Sequence, residues 1–188
     1  MRLSLGTYSI ETTSYASRRE LEKALQRIGG WPEVIDVASG EGSAFYLLKF
    51  GSEIKNPSQP NRHMGLCACR TGIEPQILLH APLELVYLGL DSSLLIFSIS
   101  TGLIKRLTLP SPFYWMSFFA DLDTILVLHE IGLLSLNPKG DIVWSYDAGD
   151  IITSFALRAP RTLELGLFEG GRVTVDLVTG RTQSSSPN

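Results

Sequence analysis

The stretch Asp123–Asp150, DTILVLHEIGLLSLNPKGDIVWSYDAGD, decides the fold class. An apolar run from Asp123 to His129 stops at Glu130-Ile131. A second, Gly132–Leu136, stops at the turn Asn137-Pro138-Lys139-Gly140, and a third leads to Trp144-Ser145-Tyr146. Apolar runs this short, each bounded by turn formers, are strands and not helices. Ile125-Leu126-Val127-Leu128 is apolar on both faces, as is Leu94-Leu95-Ile96-Phe97, so these strands are covered from both sides.

Looser copies of the unit lie on either side. Thr71-Gly72, Thr101-Gly102, Lys139-Gly140 and Thr179-Gly180 each close one strand-like run and open another. The glycines are spaced by 102 − 72 = 30, 140 − 102 = 38 and 180 − 140 = 40 residues. Glycine at such corners accepts the positive φ that a tight turn with a bulge requires. The runs entering these corners are Gly65–Arg70, Leu94–Ser100, Gly132–Leu136 and Arg172–Leu177. Further strands, Leu83–Leu90, Asp123–His129 and Arg161–Phe168, precede three of them. Thr162-Leu163-Glu164-Leu165 and Thr174-Val175-Asp176-Leu177 alternate, so one face of those strands meets water. A recurring strand–turn–strand–turn–strand unit is the pattern of an antiparallel meander repeated as blades.

Upstream the organisation changes. Arg2–Ile10 reads as a strand. Ser17 and Glu20 then form a capping box, and Leu21, Ala24, Leu25 and Ile28 fall on one helical stripe that Gly29-Gly30 and Trp31-Pro32 terminate. Its polar side, Arg18, Arg19, Glu22, Lys23 and Arg27, reads as a solvated face. Glu33–Val37 and Ala44–Phe50 are short strands with the turn Ser39–Gly42 between them. The chain is therefore read as one domain over 1–182. It comprises a strand–helix–strand part (1–50), the proline-containing loop 51–62 and the repeats 63–182, with a polar, disordered tail at 183–188.

The repeats resemble the blades of PQQ-type (quinoprotein-like) and WD40-like β-propellers. A quinoprotein blade ends close to A-x-D-x-x-T-G-x-x-x-W. Asp176-Leu177-Val178-Thr179-Gly180 matches its D-x-x-T-G part, and Gly140-Asp141-Ile142-Val143-Trp144 its G-x-x-x-W part. Thr101-Gly102 and Thr71-Gly72 keep the Thr-Gly corner alone. The resemblance covers roughly residues 63–182 and implies a small or incomplete propeller, or an open twisted sheet, with the N-terminal helix beside it. It carries over no quinone-binding residue.

Composition bounds the function. At 188 residues with 44% hydrophobic content the chain can bury a full core. A net charge of −3 lacks the basic surface that nucleic acid requires. No uncharged apolar run approaches the roughly 18 residues of a membrane span, and the N-terminus lacks the apolar stretch of a signal peptide, so a cytoplasmic setting is expected. Cys67 and Cys69 are placed on one strand face, where they cannot pair easily.

No nucleophile elbow, phosphate loop or zinc-protease motif occurs, and neither a cofactor nor a metal is expected. His63, Cys67, Cys69 and His80 lack the paired spacing of a zinc site, and His129 at a strand end reads as structural. Asp121, Asp123, Asp147 and Asp150 stand at strand ends, where turn formation is their commonest role. If blades stack, these ends could share one acidic rim. Tyr114 and Trp115, in the aromatic run 112–119, read mainly as core packing, with a partner interface as the sharper alternative.

The reading that follows is a non-enzymatic protein-binding module with a basic partner. Tyr114, Trp115, Asp121, Asp123, Asp147 and Asp150 are its candidate contacts. By size and charge it is like a toxin-neutralising, immunity-type protein that blocks its target sterically and electrostatically. The alternatives are an enzyme or ligand binder with a pocket lined by His63, His80, Asp147 or Asp150, and a scaffold subunit that completes a propeller as a homo-oligomer.

Overall fold

The computed structural model describes residues 2–5, 8–28, 33–37, 43–52, 62–69, 75–159 and 161–185. The helix stop at 29–32, the turn 39–42, most of the loop 51–62 and the Thr71-Gly72 corner lie outside them.

The fold is mainly β, with one α-helix and four sheets among the described residues. Strands β1 (Arg2–Leu5), β2 (Tyr8–Tyr15), β3 (Glu33–Asp36), β4 (Ser43–Ser52) and β5 (Arg62–Cys69) form an N-terminal sheet in the order β1-β2-β4-β5-β3. Its pairs are antiparallel except β3–β5. The stretch expected as one strand over 2–10 is the hairpin β1–β2.

Three four-stranded antiparallel meanders follow, each in simple chain order. Blade 1 is β6 (Gln76–His80), β7 (Leu85–Leu90), β8 (Ser93–Ser98) and β9 (Gly102–Thr108). Blade 2 is β10 (Phe113–Phe119), β11 (Thr124–His129), β12 (Gly132–Leu136) and β13 (Ile142–Asp147). Blade 3 is β14 (Ile152–Ala159), β15 (Thr162–Leu167), β16 (Arg172–Asp176) and β17 (Thr182–Ser185). Two boundaries differ from the sequence reading. Residues 62–69 pair with β4 and β3, so they belong to the N-terminal sheet and not to the repeats. Residues 183–185, expected as tail, belong to β17, which pairs with β16, because their backbone completes a sheet whatever their polarity.

The helix α1 (Arg18–Ile28) begins as its sequence directs. Ser17 Oγ accepts the Glu20 N–H at 3.3 Å, and the Glu20 carboxylate accepts the Ala16 N–H at 3.1 Å. Leu21 and Leu25 are buried on Leu47 and Cys67, covering one face of the N-terminal sheet. The other face, with Ile10, Leu48, Phe50 and Leu66, packs on Val86, Leu88 and Leu95 of blade 1. Tyr87, Leu94 and Ile96 on blade 1's second face meet Phe113, Met116 and Val127 of blade 2. Leu126, Leu128 and Leu133 then meet Leu163, Leu165 and Val175 of blade 3. The middle strands β7, β8, β11 and β12 are buried on both faces, as their unbroken apolar runs require. Four sheets thus stack in chain order. Among the described residues no strand pairing closes the stack into a ring: β1 pairs with β2 and β17 with β16, and neither joins the other end.

The junctions between blades repeat at an offset of 39 residues. The Leu109 and Phe113 N–H groups donate to Ser92 O and Asp91 O. The Ala148 and Ile152 N–H groups, at 109 + 39 and 113 + 39, donate to Ile131 O and Glu130 O. The resemblance residues also meet. Asp176 Oδ1 accepts the N–H groups of Val178 and Thr179 and the Thr179 hydroxyl, which shapes the turn to Gly180. Trp144 lies over that glycine and donates Nε1–H to Leu177 O at 3.3 Å. One repeat earlier Lys105 holds the equivalent place, donating to Gly140 O and Asp141. The repeat preserves the contact's position and changes its chemistry.

Candidate binding surface

Each blade has two rims. On the linker rim run the inter-blade connections 109–112 and 148–151, with the turns Glu130-Ile131 and 168–171. On the opposite rim lie the turns that follow β10, β12, β14 and β16. Register assigns the four aspartates to these rims. Asp147 pairs with Gly132 at the linker rim, and Asp150 sits in the linker itself. Asp121 and Asp123 follow Phe119, which pairs with Thr124 at the other end of the strands. Successive strands of a meander reverse direction, so the four carboxylates do not share one rim. Asp123 instead ends a 3₁₀ turn, Ala120–Leu122, in the left-handed conformation at φ +47°. Glu84 does the same one repeat earlier at φ +53°. Their role there is turn formation.

The aromatic pair sits at the β-bulge between Phe113 and Trp115, so both side chains pack against the cluster between blades 2 and 3. Tyr114 donates to Glu130 Oε1 at 3.2 Å, which brings it to the linker rim; burial and then the Glu130 charge push its hydroxyl pKa up. Trp115 packs inward, its ring 5.0 Å from Phe155 of blade 3.

The linker rim of blades 2 and 3 therefore gathers Tyr114, Glu130, Asp147, Asp150 and Glu169. Asp147 accepts the Gly149 N–H at 2.9 Å. Asp150 accepts from Ile151 at 2.7 Å and from Glu169 at 2.9 Å. Two apolar side chains stand among these carboxylates. Phe168 is 72% exposed and Ile151 40%, and the Phe168 N–H donates to Ile151 O. Sequence reasoning missed Phe168 because it closes an apolar run and reads as the last residue of a strand. The signal was the Glu169-Gly170-Gly171 turn beside it, which ends β15 at Leu167 and leaves Phe168 in the bend.

Beneath this rim lies a buried polar chain. Ser111 Oγ accepts the Ile131 N–H at 3.2 Å and contacts His129 Nδ1 at 2.8 Å. The hydroxyl has a second lone pair besides the one Ile131 uses, so it pairs with Nδ1 as donor or acceptor according to the His129 tautomer. Burial lowers the His129 pKa, and the Asp147 charge opposes that shift. A serine bonded to Nδ1 and closed in under a turn is a packing device and lacks the open approach a nucleophile needs.

The remaining candidates are dispersed. His63 is on β5 opposite Lys49; burial and then the lysine charge lower its pKa. His80 is buried in blade 1 against the Phe118 ring at 4.9 Å. Neither approaches Asp147 or Asp150 on the far rim of blades 2 and 3, so these residues do not line one pocket. Cys67 and Cys69 are free thiols; Cys67 is buried under α1, which with nearby Asp36 pushes its pKa up to about 11. Among the described residues no three of His, Cys, Asp and Glu stand together as a metal cluster.

No protein-family model matches the chain, and no curated protein matches it. Among solved structures it is similar to the extracellular domain of a one-component system, BT4673, from B. thetaiotaomicron. Identity is 12% and the TM-score 0.49, over 82% of this chain and 25% of that one. The chain thus spans about a quarter of that neighbour's length.

Proposed function

We propose that this chain is a protein-binding module whose contact surface is the linker rim of blades 2 and 3. One observation carries the reading: Phe168, the most exposed large apolar side chain among the described residues, lies on the rim that also carries Glu130, Asp147, Asp150 and Glu169. An exposed aromatic beside an aliphatic residue supplies the anchor of an interface, and the surrounding charge supplies orientation and encounter rate. Glu130, Asp147, Asp150 and Glu169 select a basic partner. Blockade of a basic toxin's active site is the finer form of this proposal, and the free thiols of Cys67 and Cys69 support a cytoplasmic setting.

Self-association into a larger propeller has less support. Glu164 and Thr174 face outward on blade 3, with Arg158 and Arg172 both bonded to Glu164, so that face is polar where a further blade would need an apolar one.

A photo-crosslinking side chain at position 168 tests the proposal in the native host. It should trap one discrete protein, and that association should weaken with added salt. The same protein trapped equally from position 143 on the outer edge, or binding indifferent to salt, overturns it.

A further inference from the structure

The inner strands β6, β10 and β14 each end their sheet, so each has an edge that no strand of its own sheet pairs. Two of these edges are sheltered. β6 is half-buried for nearly its whole length. On β10 the Gln76 side-chain amide donates to Met116 O at 3.0 Å and accepts the Met116 N–H at 2.8 Å, standing in for a neighbouring strand. One repeat on, Trp115 holds the place of Gln76 and Phe155 that of Met116. Their contact is ring on ring and bonds no backbone group of β14.

All of β14 except Ile152 and Ala156 is exposed. Phe155 is 40% and Leu157 52% exposed, and both lie on the face that carries Leu165 and Leu163. An apolar, accessible strand edge is a template for another strand, and proteins blunt it with charge, proline, a covering element or β-bulges. On β14 the register shifts between Ile152 and Ser154 and between Leu157 and Ala159, which leaves Ser154–Leu157 as the regular stretch of edge. Here Arg158 is held by Glu164 at 2.7 Å. The Ile152 end of β14 meets the acidic rim directly: its N–H bonds Glu130 O, and Asp150 precedes it by two residues. Arg172, which the register places beside Gly166 near that end, is directed to Glu164 on the outer face.

We propose that β14 accepts an extended segment of a partner protein by strand addition. Apolar side chains of that segment cover Phe155 and Leu157, and a Lys or Arg at one end meets Glu130, Asp150 and Glu169. The proposal rests on the protein-binding reading for its charged end and adds the mode of docking. Main-chain bonds along the edge give affinity, alternate side chains give selectivity, and the carboxylates fix the direction in which the segment lies.

The probe is a displayed library of random peptides of about ten residues, long enough to span β14. Selected peptides should alternate apolar residues and carry a basic residue near one end. Methylating the peptide amides that face β14 should weaken binding at least about tenfold on the unaltered protein, since two or three main-chain bonds are lost. Leu157→Asp should do the same, with folding checked by circular dichroism. Peptides that depend on Phe168 and Glu169 but tolerate methylation would sink strand addition and leave the rim reading standing. Failure to select any peptide overturns the strand proposal, whereas the crosslink at 168 reports on the rim by itself. A dimer of the free protein that Leu157→Asp dissociates would assign the edge to a second copy and overturn it equally.

Discussion

Ser111 and Asp150 occupy the same place in successive linkers. Each accepts a backbone N–H from the turn of the blade it leads into, Ile131 at 3.2 Å for Ser111 and Glu169 at 2.9 Å for Asp150. Asp150 is therefore a structural residue with a surface role added. Ser111→Ala would leave the Ile131 N–H and His129 Nδ1 without their partner under a closed turn. A loss of about 2 kcal/mol is expected, read from the urea midpoint. Asp150→Ala should cost about 1 kcal/mol, because Glu169 is exposed and water can reach its N–H in place of the carboxylate.

That double role matters for testing the rim. Glu169→Gln and Phe168→Ala remove charge and anchor without breaking a bond made by those side chains, and each should change stability by less than about 0.5 kcal/mol. Partner binding should fall with Phe168→Ala by about tenfold or more and lose part of its salt dependence with Glu169→Gln. A titration of both variants at two ionic strengths separates the effects.

Gly180 and Gly170 offer a paired comparison. Both have positive φ, +69° and +88°. A Cβ on Gly180 would stand 2.8 Å from the Trp144 ring, while one on Gly170 meets open space. Gly170→Ala should cost about 1 kcal/mol from backbone strain. Gly180→Ala should cost about 3 kcal/mol, because strain and overpacking combine. Thermal unfolding followed by tryptophan fluorescence distinguishes them.

Gln76→Leu removes the amide that satisfies both main-chain groups of Met116. The loss should be about 2 kcal/mol, and hydrogen exchange at the Met116 amide should speed up beyond that at Leu126.

His129 links stability to pH. Its folded-state pKa lies below the ordinary 6.5 because burial disfavours the charged ring. The unfolded chain therefore binds this proton first as pH falls. The stability this histidine contributes is complete above 6.5 and is lost as pH drops from there toward the folded value, below which no further loss arises. Urea midpoints at pH 7.5 and 5.5 should differ in that sense for the wild type, and the difference should grow in Asp147→Asn, which removes the charge that opposes the effect of burial.

The sequence made the meander legible because a strand buried on both faces has an unmistakable composition: Leu94–Phe97 and Ile125–Leu128 admit no other reading. Gly102, Gly140 and Gly180 were legible as corners, and each has positive φ, +97°, +84° and +69°. The inner strands were harder. β14 mixes Thr153, Ser154, Phe155 and Arg158 because one edge and part of both faces meet solvent, so it carries neither alternation nor an apolar run. Likewise β5 looked like a repeat strand, since Gly65–Cys69 has the right polarity; only pairing with β4 assigns it elsewhere. Of the candidate contacts, Tyr114, Asp147 and Asp150 converge on one rim. Asp121 and Asp123 do not, because distance along the chain says nothing about which end of a reversed strand a residue occupies.

The bonds at 109, 113, 148 and 152 are made by main chain to main chain, so the joint between blades is indifferent to which side chains border it. Substitution in the turns 130–131 and 168–171 can then proceed without loosening the stack. A scaffold joined in this way is free to exchange one recognition surface for another by point mutation, and variation between relatives of this chain should concentrate on the linker rim while the middle strands hold still.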